Sequence, residues 1–234
     1  MSFLNRFMGV FLNPKDTFKA LSEKPRWVDA LILILIATLV YFFIVGPYLQ
    51  QDQIKAFESN IKLKEMIGEK AFNERLEFLK NPPQFMIVIG TVMQPVSVVI
   101  GFLIASLILL GLGRMTSTEG RYVQVFSAVT HASFINLILG NALRVFLVLS
   151  RKSVLQTTTS AALFFPKLEV TSSAFIALSQ VDFFQLWLYG ALGYALSSIF
   201  KIDVKKGMIL SYSFWFLKSL FYIGLGLLNM RFGG

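Results

Sequence analysis

The side chains of this sequence that could do chemistry are few, and they stand inside long apolar runs. Lys218 is the one charged residue in residues 208–228. His131, the sole histidine, lies in a charge-free run between Arg121 and Arg144. An ionisable group inside a membrane is costly to bury and usually faces the interior of a helix bundle. These two residues are therefore the first candidates for a functional site.

We predict that the two residues belong to one polar cluster near the middle of a membrane. His131 stands nine residues after Tyr122, and Lys218 stands ten residues after Met208, where their helices begin on the same side. Equal depth lets them meet, with other polar residues of the spans around them. The predicted cluster consists of His131, Asn136, Lys218, Gln94 and Tyr212. It is either a structural network that fixes helix register or a site for a proton, an anion or a small polar solute.

The sequence contains no pattern of a catalytic centre. General acid–base chemistry needs a positioned pair of groups, and no pair of carboxylates lies inside the apolar runs. Cysteine is absent, and a single histidine cannot form a metal-binding cluster. We therefore expect no enzyme activity, no catalytic residue, no metal and no cofactor.

Composition and charge spacing indicate a membrane protein. Of the 234 residues, 55% are hydrophobic and 15% are charged, against about 25% charged residues in soluble domains. A helix needs about 20 mainly apolar residues to cross the hydrocarbon core, and the apolar runs provide five such segments. The sequence therefore predicts an all-α integral membrane protein with five transmembrane helices and short amphipathic interfacial helices, in one domain over 1–234. The predicted spans are 27–49, 85–112, 122–149, 183–200 and 207–229.

The basic residues indicate which side of the membrane holds the N-terminus. The N-terminal segment and two short loops carry ten Lys and Arg residues, and the opposite side also carries ten. Six of the latter lie in residues 50–84 among six acidic residues, whereas the former flank helix ends directly. Since basic residues beside helix ends favour the cytoplasmic side, we predict a cytoplasmic N-terminus and contact with anionic lipid headgroups on that side. No basic domain stands outside the spans, so nucleic-acid binding is not expected.

Three segments outside the predicted spans have residue patterns that predict local structure. Residues 1–26 include a predicted helix over 14–22 whose apolar side is expected to lie in the headgroup layer. Residues 50–84 predict one or two amphipathic helices with a break at Gly68. Residues 150–182 contain the apolar stretch "AALFFP", which is either a packed surface turn or a re-entrant segment.

Small residues and interfacial residues predict how the helices are positioned. Small side chains at helical spacing let two backbones approach closely in lipid. Two stripes are predicted to mark such contacts: Ser97, Gly101 and Ala105 on the second span, and Gly190, Gly193 and Ser197 on the fourth. Aromatic and long basic side chains near the ends of spans anchor helices at the interface. The predicted anchors are Arg26, Trp27 and Arg144.

Three stretches of the sequence carry a family resemblance. They are "FLNPKDTFKALSEKPRWVDALI" near the N-terminus, "EGRYVQVFSAVTHASFINLI" entering the third span, and "TTTSAALFFPKLEVTSSAFIALSQVDFFQLWLYGALGYALSSIFKIDVKKG" around the fourth. In the same order along nearly the whole chain, they resemble bacterial members of the Yip-one domain family. Those are five-span membrane proteins akin to the eukaryotic Ypt/Rab-interacting proteins.

The resemblance implies a polytopic scaffold, which eukaryotes use for membrane trafficking and for contact with small GTPases. The Asp-Leu-Tyr-Gly-Pro motif of the eukaryotic branch is missing, so small-GTPase binding is not carried over to this chain. We expect a non-enzymatic scaffold or partner-binding protein of a bacterial inner membrane, related to trafficking or to the envelope, with protein partners or further copies of itself. The alternative is a small transporter or channel component built around Lys218 and His131.

Overall fold

The computed structural model describes residues 1–155 and 159–232. Its α-helices are α1 (Phe3–Leu12), α2 (Pro14–Glu23), α3 (Val28–Glu58), α4 (Ile61–Ile67), α5 (Glu69–Lys80), α6 (Gln84–Arg114), α7 (Tyr122–Ala132), α8 (Asn141–Arg151), α9 (Ser173–Ser179), α10 (Phe183–Phe200) and α11 (Val204–Phe232). A π-helical turn, Ile135–Gly140, joins α7 to α8, and a 3₁₀ turn, Ala161–Phe164, precedes α9. Within the described ranges there is no β-strand, so the all-α fold class is confirmed.

Within residues 1–155 and 159–232, five helical segments are long and apolar enough to cross a membrane. They are Val28–Glu58, Gln84–Arg114, Tyr122–Arg151, Phe183–Phe200 and Val204–Asn229. The third consists of α7, the π-helical turn and α8. The prediction of five spans is confirmed. The largest difference concerns α3, which runs on to Glu58 and so includes the first part of the segment expected to lie outside the membrane.

The spans define two sides of the molecule, which we call the near side and the far side. The near side holds the N-terminal helices α1 and α2 and the loops that follow the second and fourth spans. The far side holds α4, α5 and α9, which lie in the connections after the first and third spans. These names refer only to the two ends of the helix bundle and do not state which end faces the cytoplasm.

On the far side, α4 and α5 meet at Gly68, where the sequence predicts a break. The φ of Gly68 is +82°, a left-handed conformation that favours glycine. Lys64 donates to Glu69 across the break at 2.9 Å, and this hydrogen bond holds the pKa of Glu69 below its usual value. Phe72 of α5 stacks on Phe57 of α3 with 4.7 Å between the ring centroids. The second helix of the pair therefore folds back against the end of the first span.

α10 is the most enclosed of the five spans, and the core forms around it. Half of its residues are buried inside the protein, and its Leu192, Leu196 and Phe200 are fully buried. Phe134 of the third span belongs to the same core. By contrast, α6 and α11 turn most of their side chains outward. Outward apolar faces are typical of membrane helices, because lipid tails are as apolar as the side chains that meet them.

The N-terminal helices pack against the bundle. α2 begins at Pro14 after the cap residue Asn13, close to the predicted bounds. Its Phe18 and Leu21 are buried in the core, so its apolar side is covered by protein, whereas the sequence analysis expected lipid headgroups there. α1 was not predicted, and it buries Arg6 against the spans.

The connection between the third and fourth spans is tied to the first span. Asp52 of α3 is buried, and its Oδ2 accepts the backbone N–H groups of Val154 and Leu155 at 2.6 and 3.3 Å. The predicted apolar stretch forms the short 3₁₀ turn Ala161–Phe164. Residues 156–158 lie outside the described residues. In the described part, this stretch is a turn of four residues, too short for a re-entrant pair of helices.

Candidate functional site

One buried polar cluster, the Arg6 cluster, lies where α1 meets the first and third spans. The buried guanidinium of Arg6 pairs with Asp29 and donates from Nε to Nε2 of His131 at 3.3 Å. The other ring nitrogen, Nδ1, lies 2.8 Å from the backbone oxygen of Ser127. Because Nδ1 faces a carbonyl oxygen, we assign the ring proton to Nδ1, which leaves Nε2 to accept from Arg6. The cluster thus joins three helices through complementary donors and acceptors.

A second buried cluster, the Arg144 cluster, lies on the far side at the start of α10. Arg144 donates to Oδ2 of Asp182 at 3.1 Å, to Oδ1 of Asn136 at 3.0 Å and to Oδ1 of Asn141 at 2.9 Å. Thr159 donates to the same oxygen of Asp182. The other oxygen, Oδ1, accepts two backbone N–H groups of the first turn of α10, at 2.9 and 3.1 Å. One carboxylate therefore caps a helix and neutralises a buried guanidinium.

The π-helical turn of the third span positions the Arg144 cluster. Such turns widen a helix locally and often occur at functional sites. Asn136, in this turn, presents its backbone oxygen as well as its side chain to Arg144, at 3.4 Å from Nη1. A Cβ on Gly140 would lie 3.1 Å from Nη1 of Arg144 and 3.0 Å from the ring of Phe184. A larger residue at this glycine would therefore crowd the guanidinium.

Lys218 lies on the far side as well. Its Nζ donates to Oε1 of Gln185 at 3.0 Å and stands 5.2 Å from the ring centroid of Tyr189, within the range of a cation–π contact. Gln185 is the third residue of α10, and Lys218 is the fifteenth of the 29 residues of α11. The ammonium of Lys218 therefore lies level with the first turn of α10, at the far end of that helix, although Lys218 itself stands halfway along α11.

A polar cavity of about 300 Å³ opens beside Lys218. Arg144 and Asp182 form one part of its wall, Gln185 a second part, and Lys218 with Tyr222 of α11 a third, while the end of α9 completes it. The wall offers two cationic groups, one carboxylate and several hydroxyl and amide groups. Among the residues that the structure describes, no group of three or more His, Asp or Glu residues could hold a metal ion.

The structure does not bring the five residues of the predicted cluster together. His131 belongs to the Arg6 cluster, and Asn136 to the Arg144 cluster. Lys218 borders the cavity, Tyr212 donates to a backbone oxygen of α10 at 3.0 Å, and Gln94 is exposed on α6. Residue counts along a helix predict depth, but contact also depends on which face is turned to which neighbour. His131 faces α1 and α3, whereas Lys218 faces α10.

The three predicted anchors have different surroundings. The side chain of Arg144 is only 18% exposed and pairs with Asp182, so it is turned toward this partner rather than outward to headgroups. Trp27 is half-buried and packs edge to face on Phe126, with 5.3 Å between the ring centroids. Arg26 is exposed, as an interfacial residue is expected to be.

The predicted stripe on the fourth span lies against α11. A Cβ on Gly207 of α11 would lie 2.4 Å from the backbone oxygen of Gly193 and 2.9 Å from the backbone nitrogen of Ser197. A Cβ on Gly190 would lie 3.1 Å from the hydroxyl of Tyr212. The two backbones therefore approach each other closely along this stripe.

The predicted stripe on the second span has no such partner helix in the described chain. A Cβ on Gly101 would meet no atom within 4 Å, and Ser97 is exposed. Ala105 is half-buried and packs against the core. The expected close contact is therefore wrong for Ser97 and Gly101 within the described residues.

Sequence reasoning missed most members of these arrangements, among them Arg6, Asp29, Asp182 and Gln185. For two of these residues, Arg6 and Asp182, the sequence contains a feature that could have indicated their role. Arg6 is the single charged residue in the apolar stretch "FLNRFMGVFL", a setting that requires a buried partner. Asp182 stands directly before the apolar run of the fourth span, where an N-cap aspartate is typical.

The family of the chain follows from comparison with known protein families. The Yip1 domain matches residues 8–226. The chain belongs to this family. The matched part of the Yip1 domain protein includes Asp29, His131, Arg144 and Lys218, while Arg6 lies before it. Comparison with curated proteins and with solved structures gave no match. The resemblance described above is thus confirmed for the family.

Proposed function

We propose that this Yip1 domain protein is a non-enzymatic membrane scaffold that binds protein partners, of the kind found in the bacterial branch of the family. The observation that supports this proposal is that Arg6 and Arg144 are each paired with a carboxylate, in two clusters at opposite ends of the third span. His131 and Arg144 stand 13 residues apart, which is about 20 Å along a helix. Between them on the same span, Phe134 and Ile135 are fully buried in the apolar core.

Paired buried groups suit a protein that must keep one arrangement of helices. A buried polar network makes the arrangement specific when each member has its partners, and both guanidinium groups pair with carboxylates. A transporter, in contrast, needs a polar path that opens to each side in turn. The apolar layer between the two clusters therefore favours a scaffold over the transporter or channel component.

We further propose that the single domain, 1–234, lies in a bacterial inner membrane with its near side in the cytoplasm. The ten basic residues of that side flank helix ends, which favours the cytoplasmic leaflet and its anionic headgroups. Its partners are other membrane proteins or further copies of the chain, in a role related to trafficking or to the envelope.

The test uses thiol accessibility, because the chain contains no cysteine. Lys218→Cys and Leu192→Cys are placed separately in sealed liposomes and treated with a membrane-impermeant thiol reagent from outside or from both sides. A scaffold predicts that Lys218→Cys reacts from the far side alone, through the cavity, and that Leu192→Cys, which is fully buried, reacts from neither side.

Reaction of Lys218→Cys from both sides of intact liposomes contradicts the scaffold, because it requires an aqueous path across the apolar layer. The unsubstituted chain is the control for reagent specificity. A circular dichroism spectrum equal to that of the parent shows that each variant is folded before it is labelled.

A further inference from the structure

The cavity beside Lys218 is built by four helices that converge on the far side. The third span contributes Arg144, and α10 contributes Asp182 and Gln185. Lys218 and Tyr222 come from α11, and residues at the end of α9 close the remaining side. α9 is fixed there because Ile176 packs on α11, where a Cβ on Gly226 would lie 2.8 Å from its Cγ2. The cavity is therefore a feature of the folded bundle.

The carboxylate in the cavity wall, that of Asp182, already has hydrogen-bond partners within the protein. Both oxygens of Asp182 accept hydrogen bonds, one from the first turn of α10 and the other from Arg144 and Thr159. The charges of Arg144 and Asp182 compensate each other. The pair therefore adds little net charge to the cavity.

Of the two cationic groups in the cavity wall, Lys218 is the one without an ion-pair partner among the described residues. The ion pairs formed within the described ranges do not include it. An ammonium carries three N–H donors, of which Gln185 takes one, and the face of Tyr189 lies on another side of Nζ. A donor and a positive charge therefore remain available at a polar cavity inside a helix bundle, where an anion is a favourable partner.

We propose that this cavity binds a phosphate group, with the ammonium of Lys218 as its charge partner. A phosphate presents several acceptor oxygens, and the wall offers further donors in the amide of Gln180 and the hydroxyls of Ser179 and Tyr222. A volume of about 300 Å³ accommodates one such group. The phosphate belongs either to an anionic phospholipid of the far leaflet or to a free phosphate ion.

The position of the cavity makes both sources accessible. The ammonium of Lys218 contacts Gln185, the third residue of α10, so it lies level with the far end of that helix. Tyr222, one turn further along α11, is 51% exposed. A headgroup can therefore enter sideways from the far leaflet, and a free ion can enter from the far aqueous side.

The first experiment measures lipid retention. The purified protein is equilibrated with equal amounts of phosphatidylglycerol and phosphatidylcholine in detergent, and bound lipids are counted by native mass spectrometry. We expect the parent to retain one phosphatidylglycerol preferentially and Lys218→Gln to retain it roughly tenfold more weakly. Lys218→Arg keeps the charge and should keep the preference. The matched control is Lys167→Gln, because Lys167 is an exposed lysine of the far side outside the cavity.

The second experiment distinguishes the two sources of phosphate. The unfolding temperature is measured in sodium phosphate and in sodium chloride at equal ionic strength. A rise in phosphate that Lys218→Gln abolishes, without a difference in lipid retention, assigns the cavity to the free ion. Lost phosphatidylglycerol preference in Lys218→Gln, kept in Lys167→Gln, assigns it to the headgroup.

The proposal is overturned if neither lipid retention nor the phosphate response differs between the parent and Lys218→Gln. Should Lys218→Gln not fold, Tyr222→Phe takes its place, because it removes a single hydroxyl at a half-exposed position of the same wall. Weaker phosphate or lipid binding in Tyr222→Phe then supports the site, and unchanged binding in both experiments overturns it.

Discussion

At the scale of single residues, the buried ion pair of Arg144 and Asp182 is the interaction most open to a direct test. Their side chains are 18% and 10% exposed, so replacing Arg144 by Met leaves a carboxylate that is mostly shielded from water and has lost its counter-charge. Removal of one member of a buried pair is strongly destabilising. We expect Arg144→Met to lower the free energy of unfolding by about 3 kcal/mol, measured by chemical denaturation in detergent micelles.

The matched control for this prediction is the exposed pair of Lys201 and Glu119, whose side chains are 71% and 51% exposed. Lys201→Met should change the free energy of unfolding by at most about 1 kcal/mol, because water already screens such a pair. Equal losses in Arg144→Met and Lys201→Met contradict a structural role of the buried pair. A double variant, Arg144→Met with Asp182→Asn, should recover part of the loss, since no unpaired charge remains buried.

At the scale of helices, the closest approach of a glycine to the backbone of another helix is that of α11 to α10. A Cβ on Gly207 would lie 2.4 Å from the backbone oxygen of Gly193, and a backbone atom cannot move aside as a flexible side chain can. Gly207→Ala should therefore push the two helices apart and lower the free energy of unfolding by about 1–3 kcal/mol. The measurement is again chemical denaturation in micelles.

Gly101→Ala on α6 provides the control for this helix contact. The added methyl group meets no atom within 4 Å, so only the helix propensity changes, which favours alanine by at most about 1 kcal/mol. If Gly207→Ala is as stable as Gly101→Ala, the close approach of α10 and α11 does not hold the bundle together.

The elements were more predictable from the sequence than the contacts between them. A span follows from local composition, so all five spans could be predicted from long apolar runs that contain at most one charged residue. The partners of Lys218 could not, because residue counts along a helix give depth but not which neighbour a face meets. Asp182 shows the same limit: its place before a span indicates a cap, whereas its pairing with Arg144 depends on the π-helical turn, which no sequence pattern predicted.

At the scale of the whole molecule, the two polar clusters mark opposite ends of one helix bundle. The Arg6 cluster ties the N-terminal helix to the near ends of the spans, and the Arg144 cluster ties the third span to α10 at the far end. Apolar residues fill the core between them. The fold therefore has ion pairs at both ends of the bundle and an apolar core between them.

The same division of the molecule leads to a prediction about its orientation. Basic residues that flank helix ends favour the cytoplasmic side, so we predict that the near side faces the cytoplasm and the far side the opposite compartment. Lys205→Cys, at the start of the fifth span, and Lys167→Cys, between the third and fourth spans, report on the two sides in a chain without other cysteines. In bacterial spheroplasts, an impermeant thiol reagent should label Lys167→Cys at once and Lys205→Cys only after lysis. The reverse labelling pattern would show the opposite membrane orientation. The phosphate cavity would then face the cytoplasm, where free phosphate and anionic headgroups are both abundant.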